Sequence, residues 1–336
     1  MTAAAPGPVL VMGAGSIGCY VGGRLQAAGA DVRYVCRPRV QAALRAHGLL
    51  LTDRDGGRAE LPATALQLLD EPAPPAALVL LCVKSGATAE AARQLAAVLP
   101  AGTPVLSLQN GVANAELAAQ AAPALKWLAG MVPFNVAELG PGQYHRGTWG
   151  DLAAQDDAAL RPWQPLCAAA GLPLALHADL RGVQWGKLLL NLNNPVNALS
   201  GLPLRAQLLD RDFRCVLAAL QDEALAALRA AGIAPAQLTP LPPQRLPTVL
   251  RLPTWLFRLV AARMLRIDEK ARSSMADDLA QGRPTEVDAL CGAVVRLARS
   301  QGRAAPLNER MAALLSAPRP APCSGRALRQ ALGLGR

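Results

Sequence analysis

Two stretches of this 336-residue chain hold residue types whose order could do chemistry. The first, Gly13-Ala14-Gly15-Ser16-Ile17-Gly18, is a G-x-G-x-x-G run that directly follows the apolar stretch Pro8–Met12 and opens a helical pattern over 16–28. In that setting the first glycine makes a tight turn, the second lets a pyrophosphate approach the backbone, and the third admits close helix packing. Unpaired N–H groups and the helix dipole then receive the anion. Roughly 20 residues beyond such a loop, at the end of the second strand, an NAD enzyme carries an acidic residue for the ribose 2′-hydroxyl. Here the strand Asp31–Cys36 runs into Arg37, with Arg39 two residues on. A guanidinium offers a charge-assisted fork to a 2′-phosphate and no acceptor to a bare hydroxyl, so NADPH/NADP+ is the expected cofactor.

The second stretch is Trp185-Gly-Lys187-Leu-Leu-Leu-Asn191-Leu-Asn193-Asn194-Pro195. Only Lys84, Lys126, Lys187 and Lys270 are lysines among the 34 basic residues, so arginine is the ordinary surface cation and a lysine inside an apolar run stands out. Lys84 and Lys187 both sit that way; such a lysine either snorkels its ammonium to water or works as a partly desolvated acid. At about 100° per residue, Lys187, Asn191 and Asn194 share one helical face, an ammonium beside two amides, while Asn193 points elsewhere. Pro195 removes the backbone bond to the Asn191 carbonyl, which predicts a kink or helix end there.

Other polar groups are placed by their surroundings. Gln109-Asn110-Gly111 follows an apolar strand and precedes a helix, which puts Asn110 at the C-terminal edge of a sheet, where open α/β folds bind ligands. Arg272-Ser273-Ser274-Met275 lies in one helical segment, and Glu286 opens the next, where a carboxylate is good electrostatics with no function required. Three histidines (His47, His145, His177) and seven cysteines lie apart with no C-x-x-C or H-x-x-x-H spacing, so no metal site is expected.

The elements that must position these groups fall into two textures. The first half alternates strands (8–12, 31–36, 78–83, 104–108, 127–133) with helices, and its apolar strands argue for a mostly parallel sheet. From about residue 180 helical periodicity dominates, through 207–231, 256–266, 268–281 and 285–300, so the expected fold class is an α/β N-terminal Rossmann-like domain (1–178) followed by an all-α C-terminal domain (179–316). The proline-rich stretch 235–253 reads as an ordered connector, the amphipathic WLFRLVAARMLRI beyond it as a helix lying on protein, and 317–336 as a mobile tail. A formal charge of +10 with dispersed basic residues and only five Trp, three Tyr and three Phe gives little to stack bases, so no nucleic acid and no membrane partner is expected. The N-terminus has no signal-peptide pattern, and a cytoplasmic location is expected.

Together these motifs, in this order, resemble the ketopantoate reductase family (2-dehydropantoate 2-reductase), from Val9 to about Leu315: G-x-G-x-x-G with Arg37 after the second strand, Lys84 after an apolar strand, Q-N-G, W-x-K-x-x-x-N, S-S-M, then P-T-E-V-D. The resemblance implies an oxidoreductase that uses NADPH to reduce the 2-keto group of 2-dehydropantoate to (R)-pantoate, in the pathway to pantothenate and coenzyme A. It implies Lys187 as proton donor with Glu286 beside it in a cleft between the domains, and Asn110, Asn191, Asn194 and Ser274 as substrate contacts. It also implies the glycine loop, Arg37, Lys84, Asn110, Val136 and Glu286 as positions at or near the cofactor.

The physics agrees with that assignment: hydride arriving at a keto carbon drives charge onto its oxygen, which an ammonium both stabilises and protonates. Two departures touch the substrate. The second asparagine follows the lysine by seven residues where the family has eight, and the family's P-N-G turn, whose asparagine touches substrate, reads Pro203-Leu204-Arg205. These leave open a reductase of another branched 2-keto acid; a non-catalytic NADPH-binding regulator is the reading from another class, disfavoured because Lys187 and Glu286 are retained. Oligomeric state has no visible signature, a homodimer through the helical half being one arrangement.

Overall fold

The computed structural model describes residues 6–262, 265, 271–317 and 321–335. The chain divides into two compact units, Met1–Leu180 and Arg181–Arg336.

In the first unit, β1 (Val9–Met12), α1 (Ser16–Ala27), β2 (Val32–Val35) and α2 (Pro38–His47) are followed by three short strands, β3 (Leu49–Asp53), β4 (Arg58–Leu61) and β5 (Gln67–Leu69). Then come β6 (Leu78–Leu81), α3 (Thr88–Val98), β7 (Pro104–Ser107), α4 (Asn114–Ala121), β8 (Lys126–Met131), β9 (Val136–Gly140), β10 (Gln143–Arg146), β11 (Leu152–Gln155), α5 (Gln164–Ala169) and β12 (Leu174–His177). Eight strands form one sheet in the order β12-β11-β8-β7-β6-β1-β2-β5. Every neighbouring pair is parallel except β8 with β11. All four residues of β1 and of β6 are buried, as strands covered on both faces require. The chain leaves β1 toward β2 on one side and later enters β6 on the other, so the sheet has its topological switch point between β1 and β6.

The four-stranded sheet β4-β3-β10-β9 is absent from the sequence reading. Its strands are short, and two of them, RAEL and QYHR, carry no apolar run from which periodicity could announce a strand. Helix α1 lies between the two sheets: a Cβ on Gly22 would meet Val11 and Tyr34 of the large sheet, and one on Gly23 would meet Leu49 and Leu51 of the small one.

In the second unit the described residues hold no strand. Its helices are α6 (Leu180–Asn191), α7 (Asn193–Ser200), α8 (Leu204–Leu209), α9 (Arg211–Ala230), α10 (Leu246–Leu250), α11 (Thr254–Val260), α12 (Ser274–Ala280), α13 (Ala293–Ser300), α14 (Pro306–Ser316) and α15 (Gly325–Ala331). The long α9 is the hub, with α7, α8, α10, α13, α14 and α15 packed around it.

Several sequence expectations are corrected here. The single helix over 207–231 is broken at Asp210, whose side chain accepts from the Asp212 N–H at 2.8 Å and caps α9. The helix over 256–266 ends at Val260, with 263, 264 and 266 outside the described residues, and only Phe257 is fully buried while Trp255 and Leu259 face solvent. That over 268–281 begins at Ser274, 268–270 lying outside the described residues. The helix over 285–300 begins at Val287 and is π-wound over Asp288–Gly292 before continuing as α13. The proline-rich stretch holds a 3₁₀ turn (Pro243–Arg245) and α10. The expected mobile tail is instead packed: α15 lies on α9, Leu328 and Leu332 are fully buried, and Arg329 pairs with Asp212 at 2.7 Å.

Candidate active site

In the first unit, residues at the carboxyl ends of β1, β6 and β7 converge on the switch point. The turn after β1 presses against the loop after β6: Gly13 has φ +100°, and a Cβ there would meet the Val83 backbone nitrogen at 2.7 Å. A Cβ on Gly18 would collide with the Gly13 carbonyl oxygen, so α1 packs onto its own turn only with glycine there. Gly15 differs, since a Cβ on it meets nothing within 4 Å. The N–H groups of Gly13 and Ala14 are bonded to the Val35 carbonyl at 3.2 and 3.1 Å, which fixes the loop to β2. Ala14 is buried, Ser16 and Ile17 are half-buried, and the start of α1 with Gly15 is the open part. A cradle that side chains would fill at two points and that opens at the third fits a dinucleotide pyrophosphate.

The two arginines after β2 have different surroundings. Arg39 is held by Glu138, both guanidinium nitrogens lying 3.3 Å from carboxylate oxygens. Arg37 is the exposed residue preceding α2, and it has no ion-pair partner among the described residues. Lys84 is exposed where the 3₁₀ turn Ser85–Ala87 opens after β6, and Asn110 is half-buried beyond β7. Val136 opens β9 in the small sheet, half-buried against the same core as Ile17.

A buried amide network that sequence reasoning missed joins the loops carrying Lys84 and Asn110. The Gln109 amide nitrogen donates to the Val83 carbonyl (3.0 Å) and the Thr88 hydroxyl (2.8 Å), while its oxygen accepts from Ser107 at 2.9 Å. Thr88 donates to Asn114 at 3.1 Å, and Asn114 donates to the Asn110 carbonyl at 2.6 Å. Its one sequence signal is a glutamine directly after the largely apolar run 104–108.

In the second unit, α6 carries Lys187 and ends at Asn191, with Leu192 breaking it three residues before Pro195, where the missing N–H would have served the Asn191 carbonyl. Lys187 and Asn191 are one turn apart on α6, but Asn194 belongs to the first turn of α7, so the single stripe expected of a straight helix becomes a corner. Gln221 of α9 donates to the Leu189 carbonyl at 3.0 Å, a backbone group next to the break.

Burial pushes the Lys187 ammonium down from its ordinary value of 10.5 to about 8, and the Glu286 carboxylate pulls against that fall. Glu286 immediately precedes the helix with the π-wound turn, a local underwinding common at functional sites. Ser274 is the exposed first residue of α12, whose cap, Ser273, accepts from the Ala276 N–H at 3.2 Å. The Ser273 N–H donates to the Asn197 side-chain oxygen at 2.9 Å and its hydroxyl to the Asn194 carbonyl at 3.4 Å, so the S-S-M segment is bonded to α7.

A desolvated ammonium beside a carboxylate and amides can bind a carbonyl oxygen and give it a proton. No group of three or more His, Cys, Asp or Glu among the described residues could hold a metal ion. No helix among them is long and apolar enough to cross a membrane.

The family model described as ketopantoate reductase PanE/ApbA matches residues 9–158, and the model of its C-terminal part matches 179–319. A curated 2-dehydropantoate 2-reductase from Halobacterium salinarum is 31% identical over 315 residues, which cover 91% of this chain and 97% of that relative. The solved PanE/ApbA family ketopantoate reductase from Ralstonia eutropha JMP134 superimposes with a TM-score of 0.77 at 29% identity, covering 97% of this chain and 99% of that one. A dimeric ketopantoate reductase from Staphylococcus aureus, 18% identical, shares the fold with a TM-score of 0.70 over 97% of this chain and 100% of that one.

A parallel α/β unit with a glycine-rich turn at its switch point, followed by a helical unit with a half-buried lysine, is the architecture of an oxidoreductase, and the relatives are of that class. The chain belongs to the ketopantoate reductase family.

Proposed function

We propose that the chain reduces 2-dehydropantoate to (R)-pantoate with NADPH, in the cytoplasmic route to pantothenate and coenzyme A, with Lys187 as the general acid. The observation that carries the reading is the Lys187 ammonium, drawn down to about 8 by burial with the Glu286 carboxylate opposing it. At neutral pH such a group is still protonated and yet gives up its proton more readily than an exposed lysine, the balance a general acid needs.

The glycine loop 13–18 would hold the pyrophosphate, the ion-pair-free Arg37 a 2′-phosphate, and Lys84, Asn110 and Val136 the parts nearer the ribose and nicotinamide. NADPH supplies the hydride that reaches the keto carbon. The chain's own residues do the rest: Lys187 binds the keto oxygen and passes it a proton, while Glu286 keeps that ammonium charged beforehand. Asn110, Asn191, Asn194 and Ser274 fix the keto acid so that one face of its carbonyl is open. The chain is further read as a homodimer, by likeness to the dimeric relative; a light-scattering mass of one chain would refute that.

The second reading, reduction of another branched 2-keto acid, is favoured by Leu204. Its N–H donates to the Ala271 carbonyl at 2.8 Å, which sets an apolar side chain beside the segment leading to Ser274. One assay series decides: NADPH oxidation with 2-dehydropantoate, with 2-oxoisovalerate, and with NADH in place of NADPH. The first reading expects the highest kcat/KM for NADPH with 2-dehydropantoate; equal or better turnover of 2-oxoisovalerate would move the assignment to the second.

A further inference from the structure

Asn197 carries none of the roles discussed so far, although it belongs to the asparagine run at the α6–α7 break. It is fully buried, so it reaches no bound molecule, and both polar ends of its side chain are used. The oxygen accepts from the Ser273 N–H at 2.9 Å, and the amide nitrogen donates to the Leu202 carbonyl at 2.9 Å. Leu202 follows Gly201, the left-handed residue that ends α7, and its own N–H is held by the Ser200 hydroxyl at 3.1 Å. Ser273 completes the tie, accepting from Ala276 to start α12 and donating to the Asn194 carbonyl. One neutral amide therefore joins α7, the turn after it and the cap of α12.

We infer that Asn197 and Ser273 are positioning residues that lock Ser274 against the Asn191–Asn194 corner, so that affinity for the keto acid depends on an amide that never touches it. This rests on the reading of Asn194 and Ser274 as substrate contacts. A neutral amide suits the place because it offers a donor and an acceptor in fixed directions. An aspartate would turn a second acceptor toward the Leu202 carbonyl, and an alanine at 273 would leave the Asn194 tie unmade and α12 uncapped.

The test uses the full chain with the variants Asn197→Asp, Ser273→Ala and Ser273→Thr, measuring KM for the keto acid and for NADPH separately, the pH at which kcat/KM falls, and Tm. Asn197→Asp and Ser273→Ala should raise the keto-acid KM roughly fivefold to tenfold, about what one neutral hydrogen bond is worth. The KM for NADPH and the pH midpoint should stay in place, and Ser273→Thr, which keeps the oxygen, should restore the keto-acid KM to within about twofold. If both KM values rise together with a fall in Tm, or if Ser273→Thr is as poor as Ser273→Ala, the residues are merely structural and the inference is overturned. Asn194→Ala and Ser274→Ala run alongside separate the two layers. If these raise the keto-acid KM while Asn197→Asp and Ser273→Ala do not, the positioning claim alone falls; if they leave it unchanged, the underlying site reading falls with it.

Discussion

The two units treat their cations in opposite ways. In the first, Arg37 and Lys84 stay exposed at the ends of strands, and the groups that brace the loops there are neutral: the glycine turn after β1 and the buried Gln109, Thr88 and Asn114 side chains. In the second, the lysine itself is partly drawn out of water and its proton affinity is lowered. Solvated cations on a rigid neutral base suit a permanently charged ligand, which needs location and not proton exchange. A desolvated one suits a group that must change protonation state in each turnover.

Breaking the second half should have the largest effect. Lys187→Ala is expected to lower kcat by about 10²-fold or more with folding and NADPH binding intact, since its loss removes the general acid alone. A variant with near-normal turnover would take Lys187 out of the mechanism. Next in size, Arg37→Ala should lower the preference for NADPH over NADH by about tenfold or more, read as the ratio of the two kcat/KM values, because a charge-assisted fork is lost for one cofactor only. Arg39→Ala, which releases Glu138, should leave that ratio within about twofold; the reverse pattern would exchange the roles of the two arginines.

A glycine pair sharpens the contrast between binding and folding. Gly15→Ala adds a methyl where nothing stands within 4 Å, so Tm should hold while the NADPH Kd, measured by fluorescence titration, rises about tenfold. Gly18→Ala drives a methyl into the Gly13 carbonyl oxygen and should lower Tm as well. If both variants melt like the parent and bind NADPH as tightly, the loop is not the pyrophosphate cradle.

The smallest effect is a displacement along the pH axis. With Lys187 near 8 in the free protein, the protonated, active form is present below that pH, and kcat/KM should fall as pH rises through it. Glu286 raises that value, so Glu286→Gln should move the fall toward lower pH; a shift upward, or none, would separate the carboxylate from the lysine.

How far the sequence reached differs between the same two units. The glycine loop, Arg37 and the parallel strands were legible because each is a local signal: a turn that only glycine allows, a residue type at a strand's end, an unbroken apolar run. So was the interruption before Pro195, which follows from the geometry of one missing N–H. The small sheet was hidden because strands such as RAEL and QYHR form only by pairing with partners far along the chain. The Asn197–Ser273 tie and the Gln109 network were hidden for the same reason, since their partners lie 76 and 21 to 26 residues away. The pull of Glu286 on Lys187 is likewise a product of the fold. The tail was expected to be mobile because terminal segments usually are, whereas Leu328 and Leu332 are enough to seat a short helix.

Because α15 covers one side of α9 with the buried Leu328 and Leu332, that short helix closes a face of the hub that would otherwise meet water. Removing residues 325–332 would therefore cut into a core and not trim a loose end.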